Sequence, residues 1–221
     1  MTVAAGTLFI VATPIGNLGD ISARALATLR EVGLVLAEDT RVTAKLLAAY
    51  EIKAKVDSFH EHTDTSKLVR IVERLARGEQ MALVTDAGTP GISDPGGKLV
   101  AEAVKAGVRV VPIPGASALV AALSISGLAM DRFTFVGFPP HKKGRQTFFS
   151  ELAQLDQVIV LYESTHRILK TLEALRPLNR PLVVCRELTK LHETVYRGSV
   201  DQVLEQLQKT SLKGEFVIVV G

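Results

Sequence analysis

The chain has 221 residues, of which 47% are hydrophobic and 22% charged, and its net charge is +3. This is the composition of a soluble globular chain with a real core, sized for one large domain or two smaller ones, and it excludes a globally polybasic protein. The single cysteine, Cys185, excludes an intrachain disulfide, and no Cys/His cluster has zinc spacing, so no metal is expected.

In chain order, short apolar runs predict strands at 8–12, 34–37, 55–59, 81–85 and 108–112, separated by helices near 21–31, 42–49, 66–77 and 98–106. Leu68, Ile71, Val72 and Leu75 recur at helical spacing with charges opposite them. Nearly all-apolar strands separated by helices imply a parallel sheet covered on both faces. Residues 110–130 carry no charge for 21 residues, long enough to span a bilayer. Pro112, Pro114 and Gly115 interrupt that stretch, and the remainder is too short, so 116–126 is read as a buried helix and no membrane is expected. Strands follow at 133–137, 158–162, 182–186, 194–197 and 216–220, with helices at 145–155, 165–175 and 200–208; Ser164 is the expected N-cap of the middle one. The stiff "PIPG" at 112–115 divides an N-terminal α/β domain, 1–114, with a mostly parallel sheet, from a C-terminal α/β domain, 115–221, with a mixed one. No basic segment precedes an apolar run at the N-terminus, so no secretory leader and a cytoplasmic location are expected.

The stretch "LVTDAGTPGISDPGGKLV", 83–100, sets a glycine-rich loop between a strand and a helix. It is not a P-loop: Gly91 and Gly96 have the right separation, but Gly97 stands where lysine is required, and Leu99 follows Lys98 in place of a hydroxyl residue. Pro90 and Pro95 have no N–H to donate, and Asp86 and Asp94 oppose an anion. The loop is therefore either a tight turn or a site for a neutral or cationic ligand.

With this loop, "ATPIGNLGDIS", "AEDTR", "PIPGASAL" and "KGEFVIVVG" lie at or beside predicted strand ends, where open parallel sheets collect ligands. Taken in this order, they resemble the class III S-adenosylmethionine-dependent methyltransferases, the tetrapyrrole methylase superfamily. "LFIVATPIGNLGDIS", "AEDTR", "DAGTPGISDPG" and "YESTHR" are similar to its small-subunit (16S) ribosomal RNA cytidine-2′-O-methyltransferase group. The resemblance runs from Leu8 to Gly221; members of the group often continue beyond the final strand, whereas this sequence ends at "VIVVG". It implies two α/β domains with S-adenosylmethionine in the cleft between them, and a homodimer acting on ribosomal RNA or an assembled small subunit. It also implies a cofactor pocket of Pro14, Asp86, Gly88, Thr89, Pro90, Gly91, Ile92, Ser117 and Ala118, completed by Tyr162, Glu163, Lys213 and Gly214. Within the superfamily, a tetrapyrrole or diphthine-type methylase is the alternative; outside it, a non-catalytic cofactor- or RNA-binding protein.

Glu38, Asp39 and Arg41 follow the second strand and are the candidates for substrate positioning or proton acceptance, with an N-cap at Asp39 or Thr40 as the alternative. Asn17 is read as an RNA contact or a turn residue, and Arg24 as a solvated residue within reach of RNA. His60 and His62 are expected two apart on one strand face without a third metal ligand, and His166 at a helix start. "REL" at 186–188 fits an internal ion pair or an RNA contact. Finally, "FPPHKKGRQTFF", 138–149, holds Lys142, Lys143 and Arg145 with no acidic residue; these three equal the whole surplus of 26 basic over 23 acidic residues. Backbone phosphate is the partner expected for this loop.

Overall fold

A computed structural model describes residues 6–94 and 96–221. The chain divides into two compact units, with the break between Ser117 and Ala118, so "PIPGAS" stays with the first.

The first unit is built on a five-stranded, all-parallel sheet in the order β3-β2-β4-β1-β5, with β1 Thr7–Val11, β2 Leu34–Ala37, β3 Val56–Ser58, β4 Met81–Val84 and β5 Arg109–Ile113. Period-2 alternation explains the unbroken apolar runs, because each face needs its own cover. Leu8, Leu34, Leu36, Met81 and Leu83 pack with Ile71 and Leu75 of α3 (Thr65–Ala76) and Leu99 of α4 (Gly96–Lys105). Val11, Val35, Ala37, Ala82 and Val84 point the other way, against Ala25 and Leu29 of α1 (Ala23–Glu31) and Leu47 of α2 (Thr40–Ala49). The first three helices are N-capped by Ser22, Asp39 and Asp64, each accepting from a backbone N–H of the first turn.

In the second unit the strand order is β6-β7-β10-β8-β9, with β6 Phe133–Phe135, β7 Val158–Ser164, β8 Leu182–Arg186, β9 Thr194–Gly198 and β10 Glu215–Val220. Only β6 and β7 pair in parallel; the other pairings are antiparallel. One face carries Ile159, Leu161, Val184, Phe216 and Ile218 against α6 (Arg145–Leu152), α7 (Ile168–Leu175) and α8 (Val200–Gln208), while α5 (Ala118–Ser126) packs on β10. Among the described residues, no helix is long and apolar enough to cross a membrane.

Three expectations are corrected. The helix at 116–126 is not buried all round: it starts at Ala118 and leaves Val120 60% exposed. Ser164 is not a helix N-cap, because it ends β7 in register with Glu215 and its N–H is held by Glu163; the helix starts four residues later, after Arg167. His60 and His62 do not share a strand face, since β3 stops at Ser58 and both lie in the following turn, with ring centroids 6.3 Å apart.

Gly115 fixes how closely β5 leads past β1: a Cβ there would stand 2.9 Å from the Cβ of Ala12 and 3.4 Å from its carbonyl oxygen. The Ala12 methyl, fixed directly to the backbone, has no rotamer by which to retreat, so Gly115→Val should destabilise the fold by about 1–3 kcal/mol in urea denaturation. Gly97, whose Cβ would meet nothing within 4 Å in the first turn of α4, is the control; Gly97→Ala should be neutral or stabilising by up to about 1 kcal/mol.

Candidate active site

Parallel strands end at one edge, so the loops that follow β1, β2, β4 and β5 converge without special arrangement. Two of them are tied together. Thr13 and Gly88 exchange both backbone hydrogen bonds (2.9 and 3.1 Å), and the Thr13 hydroxyl donates to the Thr85 carbonyl at 3.1 Å. Thr89 donates to the carbonyl of Ala116 at 3.3 Å, joining the glycine-rich loop to "PIPGAS". Gly88 and Gly91 have φ of +86° and +89°, values open to glycine at little cost. Asp94 works within the loop: its Oδ1 accepts from the N–H groups of Gly91 and Gly96 and ties the loop to the start of α4. Pro95 lies outside the described residues. Pro14 is half-buried beside Thr13, Pro90 is buried and Ile92 is exposed at the loop's tip.

Three carboxylates meet at this edge with different surroundings. Glu38 accepts from the Thr85 hydroxyl at 2.6 Å and from the Asp86 N–H at 3.4 Å. Asp86 in turn accepts from the Asp39 N–H at 3.1 Å. Burial, and then the Glu38 carboxylate, raise the Asp86 carboxyl above its ordinary value. Asp39 goes the opposite way, held well below the usual carboxylate range by its hydrogen bonds to Arg41. That pair is bidentate, with Nε at 3.1 Å and Nη2 at 2.6 Å, and Asp39 also caps α2. Asn17 accepts from the Gly19 N–H at 2.9 Å, so its side chain makes a turn.

In the second unit the sequence-selected residues lie at one end of the sheet. Tyr162 accepts from the Leu119 N–H at 3.1 Å, and burial pushes its phenol up. Glu163 falls in the core-facing register of Ile159 and Leu161 and is 1% exposed. Its carboxylate is consumed internally, pairing with Arg167 at 2.8 Å and accepting from the Thr171 hydroxyl at 2.5 Å and the Ser164 N–H at 2.7 Å. Only its backbone remains for a ligand. Gly214 exchanges both backbone groups with the Thr165 hydroxyl (2.8 and 2.7 Å), and a Cβ there would stand 2.6 Å from Glu187 Cγ. Lys213 is exposed, and its carbonyl accepts from Arg186 Nε at 2.7 Å. Arg186 is buried and also donates to the His192 carbonyl, which makes "REL" an internal tie.

The basic loop is corrected in one respect. Lys142 and Lys143 are exposed, but Arg145 turns inward: it donates to the Pro140 carbonyl (3.1 Å) and Thr171 Oγ1 (2.8 Å), with its guanidinium carbon 4.9 Å from the Phe149 ring centre. These contacts hold the loop. Thr13, Thr85, Thr165 and Thr171 are not among the sequence candidates, because the residues around a threonine carry no signal of its hydroxyl's partner. Arg167 had one, standing four residues after Glu163. Among the described residues, no cluster of His, Cys, Asp or Glu could hold a metal ion.

The profile of the tetrapyrrole (corrin/porphyrin) methylases matches residues 7–204. The chain is 48% identical over 220 residues to ribosomal RNA small subunit methyltransferase I of Synechocystis sp., covering 98% of this chain and 79% of the relative. To the protein of the same name from Xylella fastidiosa it is 49% identical, over 97% of this chain and 81% of the relative. The crystal structure of diphthine synthase superposes with a TM-score of 0.72 at 18% identity, covering 98% of this chain and 90% of that one. At such identity the superposition speaks for the fold, and the profile and sequence matches speak for descent: the chain belongs to the tetrapyrrole methylase family, the class III S-adenosylmethionine-dependent methyltransferases.

Proposed function

We propose that this chain transfers a methyl group from S-adenosylmethionine to the ribose 2′-oxygen of a cytidine in small-subunit ribosomal RNA. In this reading it works as a homodimer with the cofactor between its two domains. The observation that carries the reading is the near-half identity, along almost the whole chain, to relatives named as small-subunit ribosomal RNA methyltransferases.

The donor set of the glycine-rich loop fits the cofactor. The N–H groups of Gly88 and Gly91 are already committed to Thr13 and Asp94, and Pro90 has none, so the loop is poor in donors for an anion. The Asp86 carboxylate beside it suits a cation. S-adenosylmethionine would supply an electrophilic methyl on a sulfonium centre. Gly88, Thr89, Pro90, Gly91, Ile92 and Asp86 of the first unit hold it with Pro14, Ser117 and Ala118; Tyr162, Lys213, Gly214 and the Glu163 backbone supply the rest. The protein's own task is to place a weakly nucleophilic hydroxyl in line with that methyl and to receive its proton. Glu38 is the acceptor: Thr85 and the Asp86 N–H orient it, whereas Asp39 is bound to Arg41 and positions the α2 end of the site. Lys142 and Lys143 hold backbone phosphate.

Two measurements test this reading. Labelled methyl incubated with small ribosomal subunits should appear as 2′-O-methylcytidine in the nucleoside digest. Glu38→Gln should lower turnover by about 10²-fold with little change in cofactor affinity, and Asp39→Asn, which preserves the cap, by much less. No label in the subunits would return the substrate to the tetrapyrrole or diphthine class, and full turnover by Glu38→Gln would move the base elsewhere. The second measurement is a salt titration of RNA binding. Replacing both Lys142 and Lys143 with Gln should flatten the slope of log K against log salt by about 1.4, at about 0.7 per phosphate contact with a single strand.

A further inference from the structure

Phe138 is 51% exposed, on a segment otherwise anchored to a core. It is nonetheless held. Its ring meets Tyr162 at a steep angle, centroids 5.6 Å apart at 63°, and Tyr162 also packs against Phe135 at 4.8 Å. The Arg167 guanidinium lies 5.9 Å from the Phe138 ring centre. That guanidinium cannot wander, because it pairs with buried Glu163 and donates to the Pro139 carbonyl at 2.8 Å.

The chain beyond Phe138 is fixed by the same carboxylate. Glu163 accepts from Thr171, Thr171 accepts from Arg145, and Arg145 donates to the Pro140 carbonyl. Two arginines thus grip the carbonyls of consecutive prolines, on either side of one buried acid. Past this clamp the loop offers Lys142 and Lys143 to solvent, with no acidic residue from 138 to 149. An exposed aromatic ring of fixed orientation beside free cations is the combination that binds an unpaired nucleotide: stacking on the base and charge on the phosphates. A protein partner would call for continuous exposed apolar surface, and here the first exposed residues that follow the ring along its loop are His141, Lys142 and Lys143.

We infer that Phe138 is a stacking platform for an unpaired base of the RNA substrate, set in place by the Glu163–Arg167–Arg145 clamp. The inference rests on the proposed RNA function and adds to it a residue that contacts a base rather than a phosphate. A nucleotide stacked there is gripped by a ring that had already given up its freedom, so little ordering entropy opposes binding.

The test uses the full chain with S-adenosylmethionine and small-subunit ribosomal RNA as probe. Phe138→Ala should weaken RNA binding by about 5- to 150-fold, the worth of one base–aromatic stack. Phe138→Trp should restore it, Phe138→Leu should not, and cofactor affinity by calorimetry should be unchanged in all three. Parental RNA affinity in the alanine variant, or equal rescue by leucine, would overturn the platform while leaving the RNA reading intact. Loss of cofactor affinity in the alanine variant would also overturn it, by assigning the ring to the adenine. Failure of the parent chain to bind the RNA at all would instead defeat the function on which the inference stands.

Discussion

The second unit turns on a carboxylate placed where an apolar side chain belongs. Glu163 continues the core-facing register of Ile159 and Leu161, and a carboxylate at that depth is tolerable only if its lone pairs are met. The chain meets them with a backbone N–H, a threonine hydroxyl and an arginine, drawn from the end of β7, the β7–α7 connection and α7 itself. Each partner then has donors or acceptors left over. Arg167 spends its surplus on Pro139 and Thr171 spends its on Arg145, so satisfying one acid rigidifies a loop more than twenty residues upstream in sequence. A cost of burial becomes a device for holding surface chain.

The first unit solves the opposite problem, keeping several carboxylates near one edge without neutralising them all alike. Asp39 is anchored twice, by Arg41 and by the start of α2, and its proton affinity falls. Asp86 faces Glu38 with partial burial, and its proton affinity rises. Hydrogen bonds to a cation lower one acid and burial beside a like charge raises its neighbour, so the two differ in proton affinity although they stand side by side. The Thr85 hydroxyl belongs to this arrangement, since at 2.6 Å it fixes which Glu38 oxygen is occupied, the same one that accepts from the Asp86 N–H. The reciprocal Thr13–Gly88 bonds anchor the loop on which Asp86 stands.

Much of this fold can be read from its runs of residues. The unbroken apolar strands of the first half demand cover on both faces, and the two core clusters are those covers. Strands 34–37 and 182–186 and the helix 200–208 lie where hydrophobic period and capping residues place them. The glycine-rich loop was legible as a donor-poor turn because proline's missing N–H is a property of the residue itself. What escaped was tertiary. Whether Arg145 points outward depends on Thr171, a residue twenty-six positions away, and no local pattern encodes that meeting. Ser164 is a good cap by type, but pairing with β10 keeps it extended and takes the choice away. The apolar helix after "PIPG" looks buried in the sequence because composition reports how apolar a segment is and not how much partner surface is available to cover it.

The basic loop shows why charge counted along a sequence is not charge available for binding. Three cations within four residues balance the net charge of the whole chain, yet they divide by chemistry. Arginine's planar fork suits fixed acceptors, so Arg145 and Arg167 become struts between carbonyl and hydroxyl or carboxylate oxygens. Lysine's strongly hydrated point charge gains less from such burial, and Lys142 and Lys143 stay in solvent. The same loop thereby obtains rigidity from one residue type and long-range attraction from the other. Converting Arg145 to lysine would keep the formal charge but lose the fork that grips Pro140 and Thr171 together, while converting Lys142 to arginine would leave the clamp untouched. The identity of each cation, and not their number, determines what the loop can hold.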